Sequence, residues 1–220
     1  MQSSSDKSQA DFSSHRITQS AAKRAFDLGL SALGLLISAP LWAAVTVAIM
    51  LDDGTPVFFR QARWGRGGRR FMALKFRTMH SGAASEQAVQ AMEHDPRVTR
   101  VGRWLRASAL DELPQLWNIL QGDMSFVGPR ALAINEVQAN GPDKALPDEA
   151  IPGFWARLAV RPGLTGVAQV FADRDIPRRH KFRYDLFYIH RQSFWLDLRL
   201  ILLSFYITFR GRWEVRGRKL

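Results

Sequence analysis

The feature that most restricts the fold is an uncharged apolar run from Leu28 to Leu51, with Pro40 near its middle. A bilayer-crossing helix needs about 20 apolar residues, so the run is long enough. Proline removes a backbone donor and crowds the preceding turn, so the helix is expected to break or bend at Ala39-Pro40. Both flanks are basic: Arg16, Lys23 and Arg24 come before, and Arg60, Arg63, Arg66, Arg69 and Arg70 after. Lys and Arg are retained on the cytoplasmic side of a membrane. Two basic flanks therefore favour a helix that enters the bilayer, turns at the proline and returns, over a spanning helix or a buried helix of a soluble domain. Asp52 and Asp53 at the exit suit a surface better than a crossing. Asp27, at the entry, needs a partner in lipid, and Lys23 or Arg24 on the preceding turn is the expected one.

Residues 1–20 are rich in Ser, Gln and Asp and are expected to form a disordered polar tail, without the apolar region of a secretory signal peptide. The formal charge of +11 calls for anionic partners. Arg outnumbers Lys, and a guanidinium is the better fork for phosphate oxygens. Seven Trp and fourteen Phe fit a membrane-interface protein as well as an RNA binder. The absence of cysteine excludes disulfides and thiolate chemistry.

Residues 56–61 and 71–79 read as two strands joined through Gly65-Arg66-Gly67-Gly68, a hairpin. Alternation puts Met72, Leu74 and Phe76 on one face and Ala73, Lys75 and Arg77 on the other. Lys75 and Arg77 would then project together, toward a phosphate-bearing ligand or toward solvent. No Walker-type loop or dinucleotide fingerprint is present. Residues 81–93 read as a helix or lid. Arg97, Arg100, Arg103 and Arg106 recur one turn apart and are expected to bring positive charge toward Asp111.

Asp111 belongs to the run Ser108 to Leu120, which closes in Gly122-Asp123-Met124-Ser125-Phe126-Val127-Gly128-Pro129-Arg130. On a helix, Leu110, Leu113, Leu116, Trp117 and Leu120 gather on one side and Asp111, Gln115 and Asn118 on the other. Ser108 reads as a cap that sets Asp111 and Glu112 beside unpaired amides, although Pro114 allows the helix to start near Leu113 instead. A capped surface helix with solvated acids is the competing reading. Further on, Arg161-Pro162-Gly163-Leu164-Thr165-Gly166 is a turn whose amides could approach an anion. Residues 181–191 read helical, with Asp185 among Phe182, Tyr184, Phe187 and Tyr188. Residues 194–209 carry Trp195, Phe205 and Tyr206 and, with Arg210, Arg212 and Trp213 beyond, suit an interfacial helix or a buried amphipathic one.

Seven blocks in this order resemble the bacterial sugar transferases, the monotopic polyprenyl-phosphate sugar-1-phosphate transferases. They are Lys23-Arg24-x-x-Asp27, the proline-interrupted helix, residues 56–61, Lys75-Phe76-Arg77-Thr78-Met79, residues 111–118, residues 122–130 and residues 161–166. The likeness implies an α+β, helix-dominated monotopic membrane enzyme. Residues 21–52 would be its re-entrant helix, and residues 53–220 a cytoplasmic catalytic domain with C-terminal interfacial helices at the bacterial inner membrane. It places an aspartate–glutamate dyad on Asp111 and Glu112, with Asp111 as nucleophile and Glu112 as a ligand, beside Asp111, of Mg²⁺. The substrates it implies are a UDP-sugar and membrane polyprenyl phosphate. Lys75, Arg77, Arg106, Arg130, Gln115 and Asp185 would bind substrate, and Lys23, Arg24, Asp27, Ala39 and Pro40 would shape re-entry.

Departures from the family pattern are Ala39 where many relatives have Ser, Ala131 after Gly-Pro-Arg, and Phe171-Ala172 after Gln169-Val170. The last is expected to touch sugar or base selection. A nucleic-acid-binding module would explain the charge but not the apolar run, and nucleic acid is not an expected partner. A silent membrane scaffold would not need both acids. The sequence leaves the oligomeric state open, a homodimer included.

Overall fold

In the computed structural model, which describes residues 20–82, 95–134, 146–173 and 176–210, the apolar run becomes one helix, α1 (Ala21–Asp53). Ser20 caps it by accepting the Lys23 N–H at 3.2 Å, and Gly54, at φ 68°, ends it. A left-handed residue at a helix end is where glycine is needed. The helix is continuous through Pro40, so of the expected break or bend the chain shows no break there. One missing donor weakens a helix without ending it, and Leu41 and Trp42 pack on the domain immediately after it.

One side of α1 lies against the rest of the chain along its whole length. Asp27, Ser31, Val45 and Ile49 are buried there. Near the start Lys23 pairs with Asp197, and near the end Asp52 Oδ2 accepts the Val101 N–H at 2.9 Å. The opposite side is bare, with Leu36 74% and Leu51 84% exposed. That is a large unpartnered apolar surface on a helix.

Strands β1 (Phe58–Trp64) and β2 (Arg70–Phe76) form the hairpin, antiparallel, with Phe59 opposite Lys75. The inward residues differ from the simple alternation: Phe71 and Ala73 are buried on one face and Phe76 on the other, whereas Met72 is 51% exposed. The hairpin is covered on both faces near its root, by residues 115–121 on one and by α1 on the other, so period two alone could not choose a face. Helix α2 (Arg100–Ala107) packs Leu105 against Phe76, Val45 and Ile49.

Helix α3 (Gln115–Gln121) follows and leads into β3 (Ser125–Val127). Helix α4 (Phe154–Arg157) precedes β4 (Gly163–Thr165), which pairs parallel with β3. This pairing joins the Gly-Pro-Arg and Arg-Pro-Gly motifs. A Cβ on Gly163 would stand 2.1 Å from the Gly128 nitrogen, so the two chains meet at a distance only glycine permits. The Gly163 amide, expected to be open to an anion, donates to the Pro129 carbonyl at 2.9 Å instead.

Helices α5 (Val167–Phe171), α6 (Arg178–Arg191) and α7 (Phe194–Phe209) complete the core around Met124, Val127, Tyr188 and Leu200. Helix α7 keeps Asp197, Leu200, Ile201 and Ile207 inside and leaves Trp195, Leu202, Phe205 and Phe209 exposed. Among the described residues the fold is helix-rich, with two small sheets and one long apolar N-terminal helix. Residues 1–19 of the tail expected over 1–20, residues 83–93 of the helix or lid expected over 81–93, and Arg212 and Trp213 lie outside the described residues.

Candidate active site

The acids do not sit on the helix that the wheel suggests. Ser108 ends α2: its Oγ donates to the Trp104 and Leu105 carbonyls at 2.8 and 3.2 Å. Its hydroxyl serves the orphan carbonyls of the helix behind it, so it caps nothing ahead. Ala109 then turns the chain in the left-handed region, φ 54°, ψ 18°. For a residue with a Cβ this conformation costs roughly 1–2 kcal/mol. Asp111 and Glu112 lie in the short 3₁₀ turn Leu110–Glu112 that this reversal presents, and α3 starts afresh at Gln115 behind Pro114.

The apolar side of α3 is Leu116 and Ile119, both buried, while Trp117 is 46% exposed. Asn118 is a structural clamp: its Oδ1 accepts the Leu74 N–H and its Nδ2 donates to the Met72 carbonyl, both at 2.9 Å. It thereby closes the free edge of β2 and fixes the register of Lys75 against the acid turn. Gln115 is buried on the same helix, and its Nε2 has no hydrogen-bond partner among the described residues.

Lys75 reaches both acids, with Nζ 2.5 Å from Glu112 Oε1 and 3.5 Å from Asp111 Oδ2. One ammonium thus faces two carboxylates, in a recess where Asp111 is 13% and Glu112 24% exposed at the side chain. The two respond in opposite directions. Burial pushes Asp111 above the usual carboxylate range, and Glu112 adds to this against the pull of Lys75 and Arg106. Burial acts on Glu112 in the same sense, but Lys75, Arg130 and Arg63 outweigh it and hold its carboxyl at about 2.

Arg106 is steered to the pair by its Nε, which donates to Thr78 Oγ1 at 2.9 Å. Of the arginine row it is the one whose charge acts on Asp111. Arg97 forks Asp95, with Nη2 2.6 Å from Oδ2, while Arg100 and Arg103 are exposed beside Asp52 and His80. Arg130 is exposed, and its charge acts on Glu112.

Arg77 does not project with Lys75. It lies one residue past β2, buried, with Nη2 donating to the Asp53 and Gly54 carbonyls at 2.7 Å, and so ties down the end of α1. Asp185 is deep in the core, paired with Arg157 at 2.8 Å. Burial raises it despite that partner.

The entry residues of α1 are brought together, with different partners from those expected. Asp27 accepts the Phe126 N–H at 3.1 Å, whereas Lys23 pairs with Asp197 at 2.5 Å and Arg24 donates to the Ile119 and Leu120 carbonyls. The partner of Asp27 is thus a backbone amide fixed in β3, and its Oδ2 is buried with no hydrogen-bond partner among the described residues. Ala39 and Pro40 are exposed, just after Ser38, whose hydroxyl bonds back to the Leu35 carbonyl. Of the departures, Ala131 is buried in the core and Phe171 is 47% exposed at the end of α5.

Sequence reasoning missed Arg63 and Arg157. Arg63 is buried with Nη1 donating to the Ala131 carbonyl at 2.9 Å. Neither has a periodic or motif signal, since each is one arginine among many in a basic chain.

The family profile described as bacterial sugar transferase matches residues 18–211. Over 190 residues the chain is 45% identical to the undecaprenyl-phosphate glucose phosphotransferase of Komagataeibacter xylinus, which covers 83% of this chain and 35% of that protein. It is 41% identical to the exopolysaccharide production protein PSS of Rhizobium leguminosarum bv. phaseoli, over 81% of this chain and 90% of the relative. A third relative is the UDP-glucose:undecaprenyl-phosphate glucose-1-phosphate transferase of Caulobacter vibrioides, 42% identical over 85% of this chain and 69% of its own length. The chain thus spans about a third of the first relative's length and most of the other two. An acid pair in a basic recess, the profile match over nearly the whole chain and relatives above 40% identity agree: the chain belongs to the bacterial sugar transferase family.

Proposed function

We propose that this protein transfers a sugar-1-phosphate from a UDP-sugar to polyprenyl phosphate at the cytoplasmic face of the bacterial inner membrane, initiating an exopolysaccharide, capsule or O-antigen. The observation that carries the reading is the Asp111–Glu112 pair set against Lys75, with the charge of Arg106 acting on Asp111 and that of Arg130 on Glu112. In the first step an ionised Asp111 oxygen attacks the sugar-bearing phosphorus, the bond from that phosphorus to the bridging oxygen breaks, and UMP leaves with the electron pair. In the second, a polyprenyl phosphate oxygen attacks the same phosphorus and the aspartyl carboxylate is released. No proton need be gained or lost in either step. A carboxylate is a competent nucleophile here once the phosphate charge is neutralised, and two steps spare the site from holding both large substrates together.

The opposite behaviour of the two acids supports the division of labour. Asp111 is loosely held and made more basic by burial, which suits a nucleophile. Glu112 is tightly paired and held ionised, which suits a ligand for a cation. Two hard carboxylates at the mouth of a recess fit Mg²⁺, which takes its remaining ligands from substrate oxygens and water. Bound between Asp111 and Glu112, Mg²⁺ would supply charge neutralisation at the diphosphate. Arg106 and Arg130 would grip that diphosphate bidentately, and Lys75 would hold Glu112 in place between turnovers.

The bare side of α1 supports a monotopic arrangement in which the helix enters and leaves the bilayer on one side. Its two ends are both anchored on one domain, through Asp27 and Phe126 at the start and Asp52 and Val101 at the end. A helix crossing about 30 Å of hydrocarbon would carry those ends to opposite faces. The exposed aromatics of α7 suit the headgroup level beside it.

The test is UMP release from purified protein with Mg²⁺, undecaprenyl phosphate and a panel of UDP-sugars. UDP-glucose comes first, because relatives carry it in their names. UMP with at least one sugar, abolished in Asp111→Asn, is the expected result. No UMP with any sugar, or undiminished release from the variant, overturns the reading. Labelling an N-terminal tag from outside intact cells would overturn the topology.

A further inference from the structure

The ion pair Arg157–Asp185 is the most deeply buried charged pair among the described residues, with side chains 1% and 2% exposed. It lies outside the recess, and an isolated pair of this kind is a poor contributor to stability compared with apolar side chains of similar volume. Its contacts point to another role. Arg157 Nε and Nη2 fork one oxygen of Asp185 at 2.9 and 2.8 Å. The same Nη2 donates to the Arg130 carbonyl at 2.5 Å. The Arg130 N–H in turn donates to the Asp185 carboxylate. Both polar groups of one backbone residue are therefore held by the two partners of one salt bridge. Arg157 is itself pinned, its guanidinium lying 4.7 Å from the Phe182 ring centroid.

The residue held in this way carries an exposed guanidinium that acts on Glu112. It has no other described side-chain anchor, so its placement rests on its backbone. We infer that Arg157 and Asp185 are positioning residues for Arg130, setting where its guanidinium meets the nucleoside diphosphate. This rests on the transferase reading for the identity of the ligand. A lysine at 157 would keep a charge for Asp185, but one ammonium on a flexible stem cannot reproduce a planar fork that also reaches the Arg130 carbonyl. An asparagine at 185 would keep the shape and lose the charge that locks the fork.

The experiment is a double-mutant cycle on the full chain in detergent, reading calorimetric affinity for UDP, which needs no turnover, beside kcat and KM for UMP release and the unfolding midpoint. Arg157→Lys and Asp185→Asn are each expected to weaken UDP and raise KM for the UDP-sugar by about tenfold in the parent chain, and by less than twofold in an Arg130→Ala background. A purely structural pair would give the same loss in both backgrounds, tracking the drop in midpoint. Equal losses in the two backgrounds, or unchanged UDP affinity in both variants, overturn the inference while UMP release leaves the transferase reading standing. UDP binding with the expected cycle but no UMP from the parent chain sinks the transferase reading alone. A parent chain that binds no UDP sinks both.

Discussion

Among the described residues, two of the clusters of carboxylate and cation are built on opposite plans. Around Asp185 one acid meets one arginine in a planar fork, both out of solvent, and the spare donor goes to a backbone carbonyl. Around Lys75 two acids share one ammonium, with the closer contact to Glu112 and a long one to Asp111. The first cluster is balanced and closed. The second is open, with one ammonium shared between two acids, and it is the one with room for an arriving ligand. Buried charge by itself therefore says little about chemistry; the unmet demand of Asp111 says more.

The sharpest way to break this contrast is to remove the charge of Asp111. Asp111→Asn is expected to lower UMP release on the order of 10⁴-fold or more, as losing a nucleophile does. Its unfolding midpoint should hold or rise, because burial already disfavours the ionised acid and an amide carries no charge. A variant that loses fold and activity together would mean that Asp111 serves the fold and not the chemistry.

The reciprocal change is Arg157→Ala, which strands Asp185 without a partner in the core. Breaking a buried pair from one side typically costs about 3–5 kcal/mol. For a domain of this size that corresponds to a midpoint lower by roughly 6–20 °C, measured by thermal melts in detergent. A midpoint within a degree or two of the parent would show that the closed cluster admits water and is not closed at all.

Lys75→Met probes the open cluster from the cation side. Activity should fall by about 10²-fold, the scale of removing one preorganised electrostatic partner. The pH dependence carries the sign. Glu112 is held at about 2, below its ordinary value, so its pairing adds stability above the unfolded carboxylate range and the gain is lost as pH falls toward 2. The stability difference between parent and Lys75→Met should therefore be fully present at pH 6–7 and shrink between about pH 4.5 and 2. Asp111, shifted upward, works against folding over the neutral range and cannot supply that profile.

Much of this was legible in the sequence where residue type and order suffice. The apolar run, the hairpin around Gly65–Gly68 and the acid pair follow from length, turn residues and order, while Lys75 entered the site through the family resemblance. What was not legible depended on where the chain reverses. Ser108 and Asp111 match a capping pattern, but the reversal occurs at Ala109, and nothing about an alanine announces a left-handed residue. Likewise Arg77 follows Lys75 with the right parity for a shared face, yet the strand ends at Phe76 and the side chain turns to the end of α1. The partner of Asp27 was missed because it is a backbone amide 99 positions away, and local sequence proposes only local partners. Asp185 carried a real signal, a lone acid among aromatics, but whether such an acid faces substrate or core is decided by Arg157, from another helix.

The smallest expected effect serves as the control on nearness. Ser108 stands three residues from Asp111, closer in the chain than Lys75 or Arg130, and a capping role would tie it to the acids. Were it the cap, Ser108→Ala would cost about 1 kcal/mol and disturb the acid turn, lowering UMP release with it. Its hydroxyl instead bonds back to the carbonyls of Trp104 and Leu105 at the end of α2. Such a bond competes with water at a helix terminus, so its loss is expected to stay within about 0.5 kcal/mol. UMP release and its pH profile should match the parent within a factor of two. The two readings of Ser108 differ in activity more than in stability, so a kinetic comparison decides between them. A matching profile would show that the open cluster answers to the charges facing it and not to nearness in the chain, since an uncharged neighbour leaves it unmoved.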